Sequence, residues 1–186
     1  MSRILLLYSS FYGHTRKISE FIQADASTRG DAVEVRPLSQ GAADAAAFEA
    51  LVVGSSIRHG KHHAEVMDFV RAQQAVLESR PSAFFSVSLI ARKPARQTPE
   101  TNQYVREFLA RSPWKPQLIG IFGGVLDYQR YRVFDRHAIR LIMTLTRGPT
   151  DLHTNVEFTD WDKVRDFSRA LSQLAVSRGV AEPSAR

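Results

Sequence analysis

The sequence predicts an α/β fold in which helices cover both faces of a parallel β-sheet. Uncharged runs rich in apolar residues, which are typical of buried parallel strands, occur at residues 4–8, 50–54, 82–89 and 118–125. A shorter apolar run at residues 33–35 adds a fifth strand. Segments with apolar residues at helical spacing separate these runs, and such alternation indicates a doubly wound sheet.

The helices are predicted at residues 16–29, 62–77, 99–111 and 160–178. Gly30 is expected to end the first helix and Thr98 to cap the third. Residues 1–178 are expected to form one domain with an insertion at 126–155, followed by a frayed tail at 179–186.

Composition sets the limits of this prediction. A chain of 186 residues, 44% of them hydrophobic, is large enough for one packed core. The absence of cysteine excludes disulfide bonds, thiolate metal sites and cysteine nucleophiles. No apolar run approaches the length that spans a bilayer, and a strand begins almost at the first residue. We therefore expect a cytoplasmic protein, or one bound to a membrane face.

The net charge of +6 indicates anionic partners. Nucleic acid is not expected, because the basic residues are not interleaved with aromatic residues in any recognised binding module. An anionic lipid surface and an acidic substrate are the partners that remain.

A hydroxyl-rich loop at residues 9–15 joins the first strand to the first helix. It offers the hydroxyls of Ser9, Ser10 and Thr15, a flexible Gly13, and backbone amides at a helix N-terminus. Neither the lysine-containing triphosphate loop nor the Gly-x-Gly-x-x-Gly dinucleotide motif is present. The loop therefore suits a phosphate monoester. The alternative is an ordinary turn in which Ser and Thr cap the helix.

The run Leu6-Leu7-Tyr8-x-Ser10-x-x-Gly13-x-Thr15 resembles the flavodoxin signature. This resemblance implies a flavodoxin-like sheet of order 2-1-3-4-5 and FMN as cofactor, with the FMN phosphate in the loop. The loop residues that it assigns to the cofactor are Ser9, Ser10, Phe11, Tyr12, Gly13, His14 and Thr15.

A second polar loop, residues 54–60, follows the third strand at the edge where ligands bind in such sheets. In the flavodoxin-like layout it lies against the flavin ring, together with the ends of the fourth and fifth strands. The cofactor residues implied there are Ser55, Ser56, Ile57, Phe85, Ser86, Val87, Ser88, Gly123 and Gly124. Arg58 and His59 are the catalytic candidates, since they could stabilise reduced flavin or hold an anionic substrate; two solvated charges are the alternative.

Three histidines, His59, His62 and His63, could suggest a metal site. Apart from Glu65, no further ligand stands at a convincing spacing. An exposed histidine cluster at a helix start is the favoured interpretation, and no metal is predicted.

The segment at residues 90–99 carries Arg92, Lys93 and Arg96, and its prolines keep it out of a regular helix. It leaves the carboxyl end of a strand, so we expect it beside the flavin. Arginine and lysine bind carboxylates through charge-assisted hydrogen bonds. The segment is therefore the candidate for gripping substrate carboxylates, and a solvated basic loop is the alternative.

An amphipathic helix is predicted within the insertion, at residues 130–147. Its apolar stripe and its basic face suit an anionic membrane surface. A helix that packs on the domain and one that forms a homo-oligomer interface are the alternatives. The apolar positions of this helix are Phe134, Ala138, Leu141, Ile142 and Leu145, and its basic positions are Arg132, Arg136 and Arg140.

Residues 156–158 are expected to resume the fifth strand after the insertion.

The chain up to Trp161 resembles a narrower family, the bacterial flavodoxin-like, menaquinone-dependent protoporphyrinogen oxidases. It departs from the family pattern at Phe11-Tyr12 and at Leu126-Asp127-Tyr128. The segments that carry the resemblance are 54–60, 81–87, 91–94, 98–99, 128–132, 141–143 and 158–161.

This resemblance implies FMN-dependent oxidation of protoporphyrinogen IX to protoporphyrin IX in haem biosynthesis. It implies menaquinone or ubiquinone as electron acceptor and a peripheral position on the inner face of the cell membrane. The substrate-binding residues are then Arg92, Lys93, Arg96, Tyr128 and Tyr131. Two other functions stay open: an FMN-dependent NAD(P)H:quinone reductase, and an electron carrier that docks an acidic partner through its basic surface.

Overall fold

A computed structural model of the chain describes residues 1–41, 44–129, 133–145 and 148–179. Five parallel strands form its central sheet in the order β2-β1-β3-β5-β6. Counted along the chain without the short β4, this is the predicted order 2-1-3-4-5, so the doubly wound fold is confirmed. The strands are β1 (Arg3–Ser9), β2 (Ala32–Pro37), β3 (Ala50–Arg58), β4 (Lys61–His62), β5 (Ser82–Ser88), β6 (Leu118–Gly123), β7 (Val125–Asp127) and β8 (Asn155–Glu157).

Six α-helices accompany the strands in this part of the chain. Helices α1 and α6 pack together on one face of the sheet, while α2, α3 and α4 lie on the other. The helices are α1 (His14–Ser27), α2 (Ala64–Ala72), α3 (Gln74–Glu78), α4 (Gln103–Arg111), α5 (Val133–Leu145) and α6 (Trp161–Gly179). None of the described helices is both long and apolar enough to cross a membrane.

The central strands are buried on both faces. In β1, Ile4 and Leu6 face the layer of α1 and α6, while Leu5 and Leu7 face the layer of α2 and α4. All four are at most 1% exposed. This two-sided burial explains why β1 reads as an unbroken apolar run, because neither face of a central parallel strand meets water.

Two predicted helices differ at their starts. The helix expected at 62–77 is preceded by β4, which pairs antiparallel with β3, and it is divided at Gln73 into α2 and α3. The helix expected at 99–111 begins only at Gln103, because the Asn102 side chain accepts hydrogen bonds from the amides of Tyr104 and Val105. Thr98 is therefore not its cap.

The insertion follows the fifth strand of the sheet and does not interrupt it. The prediction that residues 156–158 resume this strand is wrong, since β8 pairs antiparallel with β7 in a separate two-stranded sheet. The predicted tail at 179–186 lies outside the described residues from position 180 onward.

A glycine in the middle of β3 makes room for an aromatic ring of β5. A Cβ atom added to Gly54 would lie 2.2 Å from Cζ of Phe85, whose ring packs against Phe122 and Phe167. The Phe85 ring therefore fills the space that a side chain at position 54 would need.

We expect Gly54→Ala to lower the free energy of unfolding by about 1–3 kcal/mol, because the added methyl overpacks the core. The cost should shrink in a Phe85→Leu background, which removes the opposing ring carbons. Urea unfolding measures both. Gly124→Ala is the matched control, since a Cβ there meets its nearest atoms at 3.7 Å. Equal losses at positions 54 and 124 would contradict this account.

Candidate functional site

A cleft of about 1050 Å³ opens at the carboxyl edge of the sheet. This is where ligands bind in doubly wound folds, and the volume exceeds that of most small-molecule sites. It can therefore accommodate more than one organic group. Its walls come from residues 10–15, 56–60, 87–90 and 124–125, with Lys17, Tyr104, Asp127, Ala138, Ile139 and Ile142.

The loop between β1 and α1 presents an anion-binding geometry to the cleft. Gly13 is the N-cap of α1 and has a left-handed backbone (φ +83°), which glycine adopts without steric cost. No side chain caps the helix, so the alternative of an ordinary Ser/Thr-capped turn does not hold. Because the first-turn amides have no partners within the helix, they are available to an anion.

Three buried hydroxyls at the cleft have no hydrogen-bond partner among the described residues. They belong to Thr15 in the first turn of α1, Ser56 near the end of β3 and Ser88 at the end of β5. An unsatisfied buried hydroxyl costs about 1–3 kcal/mol, so a protein retains one where a ligand satisfies it. Thr15 and the first-turn amides of α1 could therefore hold an anionic group, and the hydroxyls of Ser56 and Ser88 could bond to polar atoms of the same ligand.

The predicted cofactor residues divide into two groups. Eleven of the sixteen line the cleft and five do not. The members that line it are Ser10, Phe11, Tyr12, Gly13, His14, Thr15, Ser56, Ile57, Val87, Ser88 and Gly124. Those that do not line it are Ser9, Ser55, Phe85, Ser86 and Gly123.

Several hydroxyls of the second group are engaged in local hydrogen bonds. The Ser55 hydroxyl donates to the Ser56 carbonyl at 3.2 Å. The Ser9 hydroxyl donates to Glu65 Oε1 at 2.5 Å, and Ser86 Oγ lies 2.9 Å from His62 Nε2. These hydroxyls already have partners, unlike those of Thr15, Ser56 and Ser88.

The second polar loop is a β-hairpin between β3 and β4. Its turn consists of His59 and Gly60, which both have positive φ angles, +49° and +76°. Two such residues are characteristic of the tight hairpin turns that match strand twist. The hairpin places Ile57, Arg58 and His59 on the wall of the cleft. Sequence analysis predicted only a polar loop here, and the His59-Gly60 pair is the local signal that indicates a hairpin turn.

A hydrogen-bond chain that sequence analysis missed joins the start of α1 to the end of β6. The Thr159 hydroxyl donates to the Gly123 carbonyl at 2.8 Å, so it accepts from His14 Nε2 at 2.6 Å. Burial lowers the pKa of His14, although Glu157 opposes this shift. A neutral His14 therefore carries its proton on Nε2 and connects the loop between β1 and α1 to the end of β6 through Thr159.

The predicted substrate residues do not line the cleft. Arg92 donates to the Leu89 carbonyl at 3.0 Å, Arg96 donates to the Thr101 carbonyl at 2.8 Å, and Lys93 is exposed. Two short 3₁₀ turns, Leu89–Arg92 and Pro94–Arg96, form this part of the chain, and its lining residues are Leu89 and Ile90 at the start of the first turn. The structure therefore does not bring these three cations to the cleft wall, and their role in binding carboxylates stays a prediction.

Of the two tyrosines predicted to bind substrate, the structure describes one. Tyr128 is fully buried against Leu126 and Met143, and its hydroxyl donates to the Pro149 carbonyl at 2.8 Å. It supports the insertion and does not face a substrate. Tyr131 lies outside the described residues, as does Arg132.

Helix α5 forms one side of the cleft and also faces outward. Ile139 and Ile142 line the cleft, and the buried Met143 anchors the helix. Leu141 and Leu145 remain 61% and 76% exposed. The helix therefore presents an apolar strip on each side of its anchor. The Phe134 side chain is outside what the structure describes.

The histidine cluster is not uniformly exposed. His62 packs against Phe84 and Phe108, with ring centroids 5.4 Å and 5.2 Å away. Burial, with a smaller effect from His63, lowers the pKa of His62 to about 3. Among the described residues, no group of three or more potential ligands could hold a metal ion.

The low pKa of His62 makes stability depend on pH. The unfolded chain protonates this histidine below about pH 6.5, whereas the folded protein does not until about pH 3. The free energy of unfolding should therefore fall by about 1.4 kcal/mol per pH unit as pH drops through this window. Urea unfolding at saturating FMN should show a weaker pH dependence for His62→Gln than for the wild type. The exposed His153→Gln is the control, and an identical slope in all three proteins would refute the prediction.

Comparison with known proteins gives one family. A family model described as a flavodoxin domain matches residues 5–153. "Protoporphyrinogen IX dehydrogenase [quinone]" of Escherichia coli (strain K12) is 38% identical over 175 residues, which cover 92% of this chain and 96% of that protein. The protein of the same name from Leishmania major is 39% identical over 180 residues, covering 94% of this chain and 77% of the relative.

Solved structures support the fold. Two-electron reduced Megasphaera elsdenii flavodoxin superposes with a TM-score of 0.58 at 12% identity, covering 91% of this chain and 98% of that one. A short-chain flavodoxin associated with a PDU bacterial microcompartment gives 0.56 at 15% identity, covering 94% and 99%. At such identities the likeness concerns the fold alone.

Proposed function

The chain belongs to the flavodoxin-like family of protoporphyrinogen IX dehydrogenases, and we propose that it oxidises protoporphyrinogen IX to protoporphyrin IX and passes the electrons to a quinone. The observation that carries this proposal is the match to named dehydrogenases along almost the whole chain. The large cleft at the carboxyl edge supplies a site of suitable size and composition.

The cofactor that we propose is FMN. The first-turn amides of α1 and the Thr15 hydroxyl would hold its phosphate, while Ser56 and Ser88 would meet polar atoms of the rest of the molecule. When bound, the flavin supplies two-electron chemistry that the side chains of the protein lack. The protein's own contribution is to bind, orient and shield the reacting groups.

The composition of the cleft suits a bulky apolar macrocycle. Ile57, Leu89, Ile139 and Ile142 contribute apolar surface from three different segments. Burying such surface drives binding in proportion to its area, and it also excludes water from the reacting atoms. We therefore assign the space beside α5 to the tetrapyrrole.

The outer side of α5 is the surface that we propose to meet a membrane containing menaquinone or ubiquinone. Leu141 and Leu145 are exposed there, beside the exposed Arg140. A net charge of +6 complements the anionic cytoplasmic leaflet. A peripheral position on the inner face of the cell membrane would bring the cleft close to a lipid-dissolved acceptor.

Thr15→Val tests the phosphate assignment with little change of shape. Hydrogen bonds to charged groups contribute about 1.5–3 kcal/mol, so FMN affinity should fall about tenfold to hundredfold. Riboflavin, which has no phosphate, should bind both proteins equally. Quenching of flavin fluorescence measures each affinity.

Thr28→Val, at the opposite end of the same helix, is the matched control, because the Thr28 hydroxyl bonds to the Asp25 carbonyl on the surface. Equal losses of FMN and riboflavin affinity in Thr15→Val would rule out a contact with the phosphate.

The function itself is tested by turnover of the FMN-loaded protein. Porphyrin fluorescence should appear from protoporphyrinogen IX under anaerobic conditions only when menaquinone or ubiquinone is added. The rate should be higher with quinone in anionic vesicles than in zwitterionic ones. Rapid quinone reduction by NADPH, with no porphyrin formed, would replace the proposal with the NAD(P)H:quinone reductase. Salt-sensitive binding of an acidic partner with no turnover would instead indicate an electron carrier.

A further inference from the structure

We propose that Arg58 binds a propionate carboxylate of the tetrapyrrole and that Phe11 holds the Arg58 guanidinium in position. This inference rests on the proposed function and deepens it. It transfers the role predicted for Arg92, Lys93 and Arg96 to the β3–β4 hairpin.

The first support is the location of the basic side chains. Arg58 lines the cleft itself. Lys17 also lines it, but its ammonium group forms an ion pair with Glu157 at 2.7 Å and lies over the Trp161 ring. The cations of the 90–99 segment bond to their own backbone or face solvent. The guanidinium on the cleft wall is thus contributed by the hairpin.

The second support is the stack that carries Arg58. Its Cζ atom lies 4.4 Å from the centroid of the Phe11 ring. Stacking uses the flat face of a guanidinium, so the N–H groups at its edge are the part that meets a carboxylate. A planar, fixed guanidinium is the side chain best suited to bidentate carboxylate binding.

The Phe11 ring is itself held by a chain of contacts that ends in β1. Its centroid lies 3.6 Å from that of the His63 ring. His63 Nδ1 is 3.4 Å from Glu65 Oε1, and the same oxygen accepts from the Ser9 hydroxyl. The stack therefore rests on α2 and on the buried end of β1, which gives Arg58 a rigid support.

The third support is the distribution of charge across the cleft. The hairpin lies on the β3 side, whereas Asp127 contributes a carboxylate to the lining on the β7 side. The propionates of protoporphyrinogen IX share one edge of the macrocycle, and the rest of the ring is apolar. We expect that acidic edge to lie towards the hairpin and the rest of the ring to contact the apolar lining, which includes Ile139 and Ile142.

Equilibrium binding of the product to the FMN-loaded protein tests this assignment. Protoporphyrin IX and its dimethyl ester have the same ring, but the ester has no carboxylate. Arg58→Ala should weaken binding of the acid about tenfold to hundredfold and leave binding of the ester unchanged. Arg58→Lys should recover part of the lost affinity, since lysine restores the positive charge but not the planar group that binds a carboxylate through two N–H groups. Porphyrin fluorescence follows the titrations, and the flavin absorbance reports cofactor occupancy.

Two further variants separate position from charge. Phe11→Leu keeps apolar surface but removes the stack, so it should weaken binding of the acid less than Arg58→Ala and spare the ester. Arg96→Ala is the matched control in the basic segment, and it should change neither affinity. In turnover, Arg58→Ala should raise KM for the porphyrinogen more than it lowers kcat.

The possible results distinguish a failure of this inference from a failure of the proposed function on which it rests. Equal weakening of acid and ester by Arg58→Ala would overturn the carboxylate role. A loss confined to Arg96→Ala would return that role to the basic segment. If the wild type turns over protoporphyrinogen IX and Arg58→Ala binds the acid as tightly as the wild type does, this inference alone would be overturned. Absence of both turnover and porphyrin binding in the wild type would overturn the inference together with the proposed function.

Discussion

The burial of β1 on both faces is the constraint on which the rest of the structure depends. Ile4 and Leu6 pack into one layer and Leu5 and Leu7 into the other, so the strand cannot shift without disrupting both. The loop that follows is therefore held at the carboxyl edge, and the left-handed Gly13 starts α1 with its amides towards the cleft. The wall formed by the end of β3 is held beside this loop, because β3 pairs with β1 from Ala50 to Ser55.

The pairing of buried hydroxyls distinguishes structural residues from ligand-binding ones. Ser9 and Ser86 are buried near the cleft and bond to Glu65 and His62. Thr15, Ser56 and Ser88 have no such partner within the described part of the chain. Leaving these hydroxyls unsatisfied lowers stability, but it prepares donors and acceptors for a cofactor. The same preorganisation appears in the Phe11 stack, which limits the freedom of Arg58 before a substrate binds.

Sequence patterns predicted the fold well because they report local environment. Burial on both faces gives β1, β3 and β5 their apolar runs, and the loop around Gly13 marks one wall of the cleft. Other features depend on contacts between distant residues, which no local pattern contains. The bond from Tyr128 to Pro149 turns this tyrosine inward, and the pairing of β7 with β8 removes residues 156–158 from the main sheet. The basic segment is a similar case, since the side chains of Arg92 and Arg96 donate to the nearby carbonyls of Leu89 and Thr101.

The central claim is that flavin and tetrapyrrole meet in one cleft. Anaerobic mixing of the FMN-loaded protein with one equivalent of protoporphyrinogen IX, in the absence of quinone, tests it most directly. The account predicts that the visible flavin absorbance is lost in a single rapid phase, and that added quinone restores it. A flavin that stays oxidised in the presence of porphyrinogen, but is reduced by NADPH, would contradict the account.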